Sequence, residues 1–156
     1  MSEVALVSNL GLSPIIVVNI LWMLQEEYDV KVSKVILFTT RSVKAKFGGK
    51  VSLCLKKLFG IGDVEVRLVN EVDVESAIRT MRECLRILKE EGVKVIVDIT
   101  AGRKTMSIAL YTAAMSENVD LITYVHLIDS RFQNMPVPLI PYTKLRLIRL
   151  AGSLNT

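Results

Sequence analysis

Val97–Ser107 reads VDITAGRKTMS, and the fold follows from how that stretch is parsed. The β-branched run Val93 to Val97 predicts a buried strand. An acid, a threonine and a glycine turn follow, and Arg103 and Lys104 then open a segment with helical character, Thr105 to Glu117. Strand, turn and helix in that order form one unit of a parallel sheet.

The same grammar extends in both directions. Upstream, Val4 to Val7 predicts a strand, Ser8 to Ser13 a short loop, and Ile15 to Tyr28 an apolar helix with Pro14 at its start. Lys34 to Phe38 is a second strand with Thr39-Thr40-Arg41-Ser42 as its exit loop. A basic helix covers much of Ala45 to Phe59, begun late or interrupted by Gly48-Gly49. Val64 to Val69 is a third strand. The next helix has Asp73 as cap, a stripe of Val74, Ala77, Ile78, Met81, Leu85 and Leu88, and Gly92 as its end. Its pairs Glu75–Arg79, Arg79–Glu83 and Arg86–Glu90 stand at i,i+4. Downstream, Leu121 to Leu127 is a fifth strand and Asp129 to Pro141 a Pro-containing loop. Lys144 to Leu150 alternates cation with apolar residue, as an edge strand does. The expected fold is therefore α/β: Rossmann-like, doubly wound, a mostly parallel six-stranded sheet with helices on both faces. Residues 1–156 are read as a single domain, with no internal repeat or linker.

Composition narrows the function classes. Of 156 residues, 51% are hydrophobic, ample for one core. The uncharged run Val4 to Gln25 is broken by Ser8, Asn9, Gly11, Ser13, Pro14 and Asn19, so it reads as buried strand plus buried helix and no membrane partner is expected. Cys54 and Cys84 lie in apolar helical patterns and predict reduced core thiols in a cytoplasmic setting. With one histidine and no C-x-x-C, no metal site and no cofactor is expected. His126 lies in an apolar strand and is read as a core residue. The net charge is +4 and unevenly spread. Val30 to Gly62 holds eight cations and no acid, whereas the acids gather between Asp63 and Glu91. Such asymmetry points to an anionic ligand or a polyanion on one face. Many apolar residues, few amide side chains and dense ion pairing have the flavour of a thermophile.

In a doubly wound sheet, ligands bind beyond the carboxyl ends of the strands, where the strand order reverses. The loops after strands one and four are thus the natural site. Unpaired N–H groups at a helix N-terminus favour an anion. Gly102 permits close approach, and Arg103 and Lys104 place two cations where a helix otherwise disfavours them, which points to a phosphate. Asp98 is read as fixing the turn. The familiar phosphate motifs are absent: Arg103 intervenes where a P-loop has glycine next to lysine, and the first loop lacks G-x-G-x-x-G.

Two segments together carry a resemblance. Ser8 to Pro14 (SNLGLSP) and Asp98 to Ser107 (DITAGRKTMS) resemble the loops after strands one and four of the CRISPR-associated Rossmann-fold (CARF) family. Asp98, Thr100, Gly102, Lys104 and Met106 match the second motif, and Ala101 replaces a glycine. The resemblance implies a homodimer that binds a cyclic oligoadenylate across its two-fold axis, most simply cyclic tetra-adenylate, whose symmetry suits an isologous pair. The short chain then leaves a ring nuclease that ends type III CRISPR signalling in antiviral defence as the leading expectation, beside a stand-alone sensor and a domain excised from a longer protein. Such an enzyme is metal-independent and leaves linear products with a 2′,3′-cyclic phosphate. On this reading Lys104 and Ser13 are catalytic, and Ser8, Asn9, Leu10, Gly11, Leu12, Arg41, Ala101, Gly102, Arg103 and Thr105 bind ligand. Two alternatives stay open: a non-catalytic sensor of the same ligand that regulates a partner, and another nucleotide- or nucleic-acid-binding Rossmann-like domain. A nucleic-acid partner is not expected on the leading reading.

Overall fold

A computed structural model describes residues 3–154. In chain order the elements are β1 (Val4–Asn9), α1 (Ile15–Tyr28), β2 (Lys34–Thr39), α2 (Arg41–Phe59), β3 (Asp63–Leu68), α3 (Val74–Glu90), β4 (Lys94–Asp98), α4 (Lys104–Ser116), β5 (Leu121–Leu127) and β6 (Leu145–Gly152). The strands form one six-stranded sheet in the order β3-β2-β1-β4-β5-β6. All neighbours are parallel except β6, which returns antiparallel along β5. This is the doubly wound Rossmann-like α/β fold.

Side-chain alternation divides the core in two. Leu6, Val35, Leu37 and Ile96 face α1 and α2, where they pack with Ile20, Leu24, Val51 and Leu55. Ala5, Val7, Ile36, Phe38, Val95 and Val97 face α3 and α4 and meet Met81, Leu85, Ala109 and Leu110. Central strands are apolar on both faces because helices cover both. Asp73 caps α3 by accepting from the Ser76 N–H at 3.1 Å, as its sequence position predicts. Among the described residues no helix is long and apolar enough to cross a membrane.

Three expectations need correction. The helix after β2 begins at Arg41 and runs unbroken through Gly48-Gly49. Gly48 is buried and a Cβ there would meet only Lys44 Cγ at 3.4 Å, so the helix carries the intrinsic cost of its glycine, about 1 kcal/mol, without being broken by it. Of the three i,i+4 pairs on α3, only Arg86–Glu90 forms, at 3.2 Å. Arg82 instead reaches Glu117 at 3.1 Å, and Lys89 donates to the carbonyls of Glu117 and Asn118, so these cations tie α3 to the end of α4. His126 is exposed, not a core residue. It lies against Tyr124 on the stretch of β5 opposite Arg146 and Ile148 of β6, which no helix covers. Cys84 is buried and Cys54 half-buried, and both are free thiols.

The two sheet edges differ. β3 carries Asp63, Glu65 and Arg67. Lys34 on β2 bridges Asp63 and Glu65 at 3.5 and 3.6 Å, and Arg67 pairs with Glu65 at 2.6 Å. The opposite edge ends at Gly152, which adopts φ +74° and sits so close to the Asp120 carbonyl that a Cβ would fall 2.1 Å from its oxygen. Gly152→Ala is therefore expected to lower unfolding free energy by about 1–3 kcal/mol, read as a shift in urea midpoint at unchanged slope.

Candidate functional site

β1 and β4 are neighbours whose chains leave in opposite directions, β1 toward β2 and β4 toward β5. Their carboxyl-end loops must therefore part, and a cleft of about 380 Å³ opens there. Each loop is bolted to a strand. The Leu10 N–H donates to the Phe38 carbonyl at 2.8 Å, and the Thr39 hydroxyl donates to the Leu10 carbonyl at 2.7 Å. Thr100 in turn accepts from the Val125 N–H at 2.7 Å, and the Ile99 N–H donates to the Thr123 carbonyl at 3.1 Å.

Asp98 anchors the second loop, in the role its position predicts. It is fully buried. One carboxylate oxygen accepts from the Thr100 N–H at 2.8 Å and the other from the Thr123 hydroxyl at 2.7 Å. Burial raises its pKa to about 6, against the opposing pull of the hydrogen bonds from Thr100 and Thr123.

The two loops touch through backbone. A Cβ on Gly11 would lie 3.1 Å from the Gly102 nitrogen, and a Cβ on Gly102 would lie 3.0 Å from Asn9 Cβ. Gly102 also has φ +90°, where side chains are strained. Beneath the contact, Asn9 is 1% exposed, and neither its Nδ2 nor its Oδ1 has a hydrogen-bond partner in the protein. An unpaired buried amide costs on the order of 1–3 kcal/mol per group, so a cleft floored by one is poised for a polar ligand. Above it, α4 begins with Arg103 in extended conformation, no side-chain cap and no acid in its first turn.

The structure sorts the predicted residues. Asn9, Leu10, Gly11, Leu12, Ser13, Gly102 and Arg103 all line the cleft, with Leu12 at the rim and 76% exposed. Ser8 does not: it is fully buried in β1, in register with Asp98. Ala101 is likewise buried beneath the turn. Arg41 faces an adjoining depression with Asn70, Glu71 and Thr80. Lys104 and Thr105 are exposed on a second shallow surface that shares Arg103 and Glu71 with the cleft. Arg103 is ion-paired with Glu71, Nε to Oε2 at 3.2 Å. Ser13 donates its hydroxyl to Asn134 Oδ1.

That last contact gives the Asp129–Pro141 segment a place. Asn19 of α1 donates to the Met135 carbonyl at 2.8 Å and accepts from the Val137 N–H at 2.9 Å. The segment is thus held against α1, walling a second cavity of about 360 Å³ that adjoins the cleft at Ile16 and Thr100. Arg131 is engaged by Asp129, while Gln133 lines this second cavity. Sequence reading missed Glu71, Thr40, Ser42, Thr100 and Asn134. The hydroxyls after β2 carried a signal in the Thr39-Thr40 pair; Glu71 carried only its place after β3. Among the described residues no group of three or more His, Cys, Asp or Glu side chains is arranged to hold a metal ion.

Comparison with known proteins bears on this geometry. The family model described as "HFX_2341_N:-like, N-terminal" matches residues 23–129, a span that includes the β4–α4 turn but starts after the β1 loop. No curated protein matches the sequence. Among solved structures, the fold resembles VC1899 from Vibrio cholerae at TM-score 0.65 and 15% identity, over 78% of this chain and 30% of that one. It resembles Can2 from Sulfobacillus thermosulfidooxidans, in complex with cyclic tetra-adenylate, at TM-score 0.61 and 17% identity, over 84% and 33%. It also resembles Enterococcus italicus Csm6 bound to cyclic hexa-2′-fluoro-hexa-dAMP, at 0.61 and 13%, over 96% and 42%. The chain thus spans 30–42% of the length of these proteins, and at these identities the likeness is one of fold.

The buried Asp98 makes a pH prediction. Its folded pKa lies above the usual carboxylate value, so the native state binds the extra proton between about pH 4 and pH 6. Its contribution to stability is fully present below pH 4 and is lost as pH rises through 6. Urea unfolding should show the wild type losing ground to Asp98→Asn across that window, with a constant gap above it.

Proposed function

The chain belongs to the HFX_2341_N:-like, N-terminal family, and from that premise we propose that it is a CARF-type domain that binds cyclic oligoadenylate and cleaves it as a metal-independent ring nuclease. The observation that carries the reading is the convergence of both motif loops on one cleft. The cleft is floored by the unpartnered amide of Asn9 and crowned by the uncapped start of α4 with Arg103. A phosphodiester suits the crown of the cleft, where it accepts from N–H groups and pairs with a guanidinium, while the unpartnered Asn9 amide lies buried just beneath. Structures of the same fold hold adenylate rings, which supports the ligand class.

In the proposed chemistry the ribose 2′-oxygen attacks its own 3′-phosphorus and the bond to the neighbouring 5′-oxygen breaks. The 2′-hydroxyl proton ends on that leaving oxygen, leaving a 2′,3′-cyclic phosphate. The protein's part is in-line positioning and stabilisation of charge on the phosphorane. Lys104, next to Arg103 at the helix start, is assigned the second role, because its compact mobile ammonium can follow developing charge. Ser13, held by Asn134, is assigned to orienting the phosphate or ribose. The sensor reading has its own support: the Ser13 hydroxyl is already donated to Asn134, and His126 lines the adjoining cavity and not the cleft itself.

The proposed homodimer has a candidate surface. Ile108, Tyr111 and Met115 are exposed along one side of α4, and Tyr124 and Ile148 are exposed on the uncovered β5–β6 face. Exposed apolar side chains grouped on one helix face suit an interaction site. A two-fold pairing there sets two α4 starts, and so two phosphate cradles, about one axis.

Two outcomes are expected. Labelled cyclic tetra-adenylate incubated with the protein in EDTA is converted to linear products ending in a 2′,3′-cyclic phosphate. Lys104→Ala reduces the rate by about 100-fold or more, as loss of one charge-stabilising group does. Intact ligand that is nevertheless bound makes the protein a sensor. Separately, Ile108→Glu combined with Met115→Glu yields a monomer in sedimentation equilibrium where the wild type is a dimer, with cleavage lost in parallel.

A further inference from the structure

Glu71 stands out in the cleft. It is the single acidic side chain among the residues lining a site otherwise furnished with N–H groups, hydroxyls, an amide and a guanidinium. A carboxylate opposes phosphate binding by like-charge repulsion, so its presence asks for a reason. It arrives on the turn between β3 and α3, a turn closed locally by the Asp73 N–H donating to the Asn70 carbonyl and by the Asn70 side chain accepting from the Val72 N–H. One of its oxygens, Oε2, lies 3.2 Å from Arg103 Nε, and the side chain is 30% exposed. The contact is an ion pair, and among the described residues no hydrogen bond engages either oxygen of the carboxylate.

Ionised carboxylate only accepts hydrogen bonds. An adenylate's phosphates cannot serve it; its ribose 2′-hydroxyl and its adenine N6 amino group can, and only the hydroxyl lies vicinal to a phosphate. The pairing with Arg103 makes the match more specific. Arg103 meets Glu71 as an ion pair through Nε, and the exposed guanidinium keeps both terminal nitrogens for an anion. The pair therefore offers a cation and an acceptor side by side. A ribonucleotide carries the complement on one sugar, an anionic 3′-phosphate vicinal to a donating 2′-hydroxyl. The carboxylate's charge is tolerated because Arg103 offsets it.

Resting on the proposed ligand class, we propose that Glu71 is a specificity-determining residue. Held by Arg103, it accepts a hydrogen bond from the ribose 2′-hydroxyl and so restricts the cleft to ribonucleotide rings. The role concerns recognition and holds whether the ring is cleaved or only bound.

The test is equilibrium binding, read in the cold to suppress turnover, of cyclic tetra-adenylate and of its all-2′-deoxy analogue. The proteins are wild type, Glu71→Ala, Glu71→Gln and Arg103→Ala. The wild type is expected to prefer the ribose ring by about ten-fold or more, the value of a hydrogen bond to a charged group. Glu71→Ala brings that ratio to about one by weakening only the ribose ring, Glu71→Gln keeps an intermediate ratio, and Arg103→Ala weakens both rings together. Tighter binding of both rings by Glu71→Ala overturns the proposal and makes Glu71 a mere competitor for Arg103. An unchanged ratio in Glu71→Ala overturns it as well. Should the wild type bind no adenylate ring of any size, the proposed function falls and takes this inference with it; in that case there is no ratio to read, so the two failures are told apart.

Discussion

The approach of Gly11 to Gly102 is the constraint on which the site depends. Two backbone segments from loops that must diverge at the switch point come within contact distance, and a side chain on either would crowd its neighbour at 3.0–3.1 Å. The contact fixes how far the carboxyl ends of β1 and β4 stand apart. It also covers Asn9 and aims the first turn of α4 across the neighbouring loop. The strands beneath can be rigid because both faces are packed. The loops above are then positioned by those strands and by a few side-chain bonds, from Thr39 on one side and Asp98 and Thr100 on the other.

Those bonds place polar groups in the sheet interior, where each must be matched. Asp98, Thr123 and Thr100 satisfy one another and the neighbouring backbone, so the second loop is specified by a closed network. Asn9, one strand away, is left unmatched. The contrast separates scaffold from site: the same low-dielectric setting that makes the Asp98 bonds strong makes the Asn9 amide costly without a partner.

Much of this was legible in the residues. α1 and β5 fall where the apolar pattern put them, because Pro14 and the run to Leu127 mark their bounds locally. The two site loops were legible for the same reason, each being announced by a glycine following a strand. What failed to show was tertiary. Gly48 looked like a helix breaker until its burial was seen. His126 looked buried because an apolar run cannot reveal that its distal half extends past the last covering helix. Arg103 was read only as facing a phosphate, and its protein partner Glu71 comes from a turn some thirty residues upstream that no local pattern links to it. Ser8 and Ala101 sit in the right motifs but face the interior, since a motif names a segment and the alternation of the chain decides which side chains emerge.

The charged edge at β3 has a consequence for the crowded, concentrated state. An unpaired outer strand is a template on which another chain can add its own, and a run of alternating valines would invite this. Here Asp63, Glu65 and Arg67 interleave with Val64 and Val66, and Lys34 cross-links two of the acids. A strand laid alongside would have to strip water from these ions. Open-ended fibrillar growth is thereby disfavoured on that side, and the molecule can keep a highly apolar sequence without the aggregation that such a sequence otherwise risks.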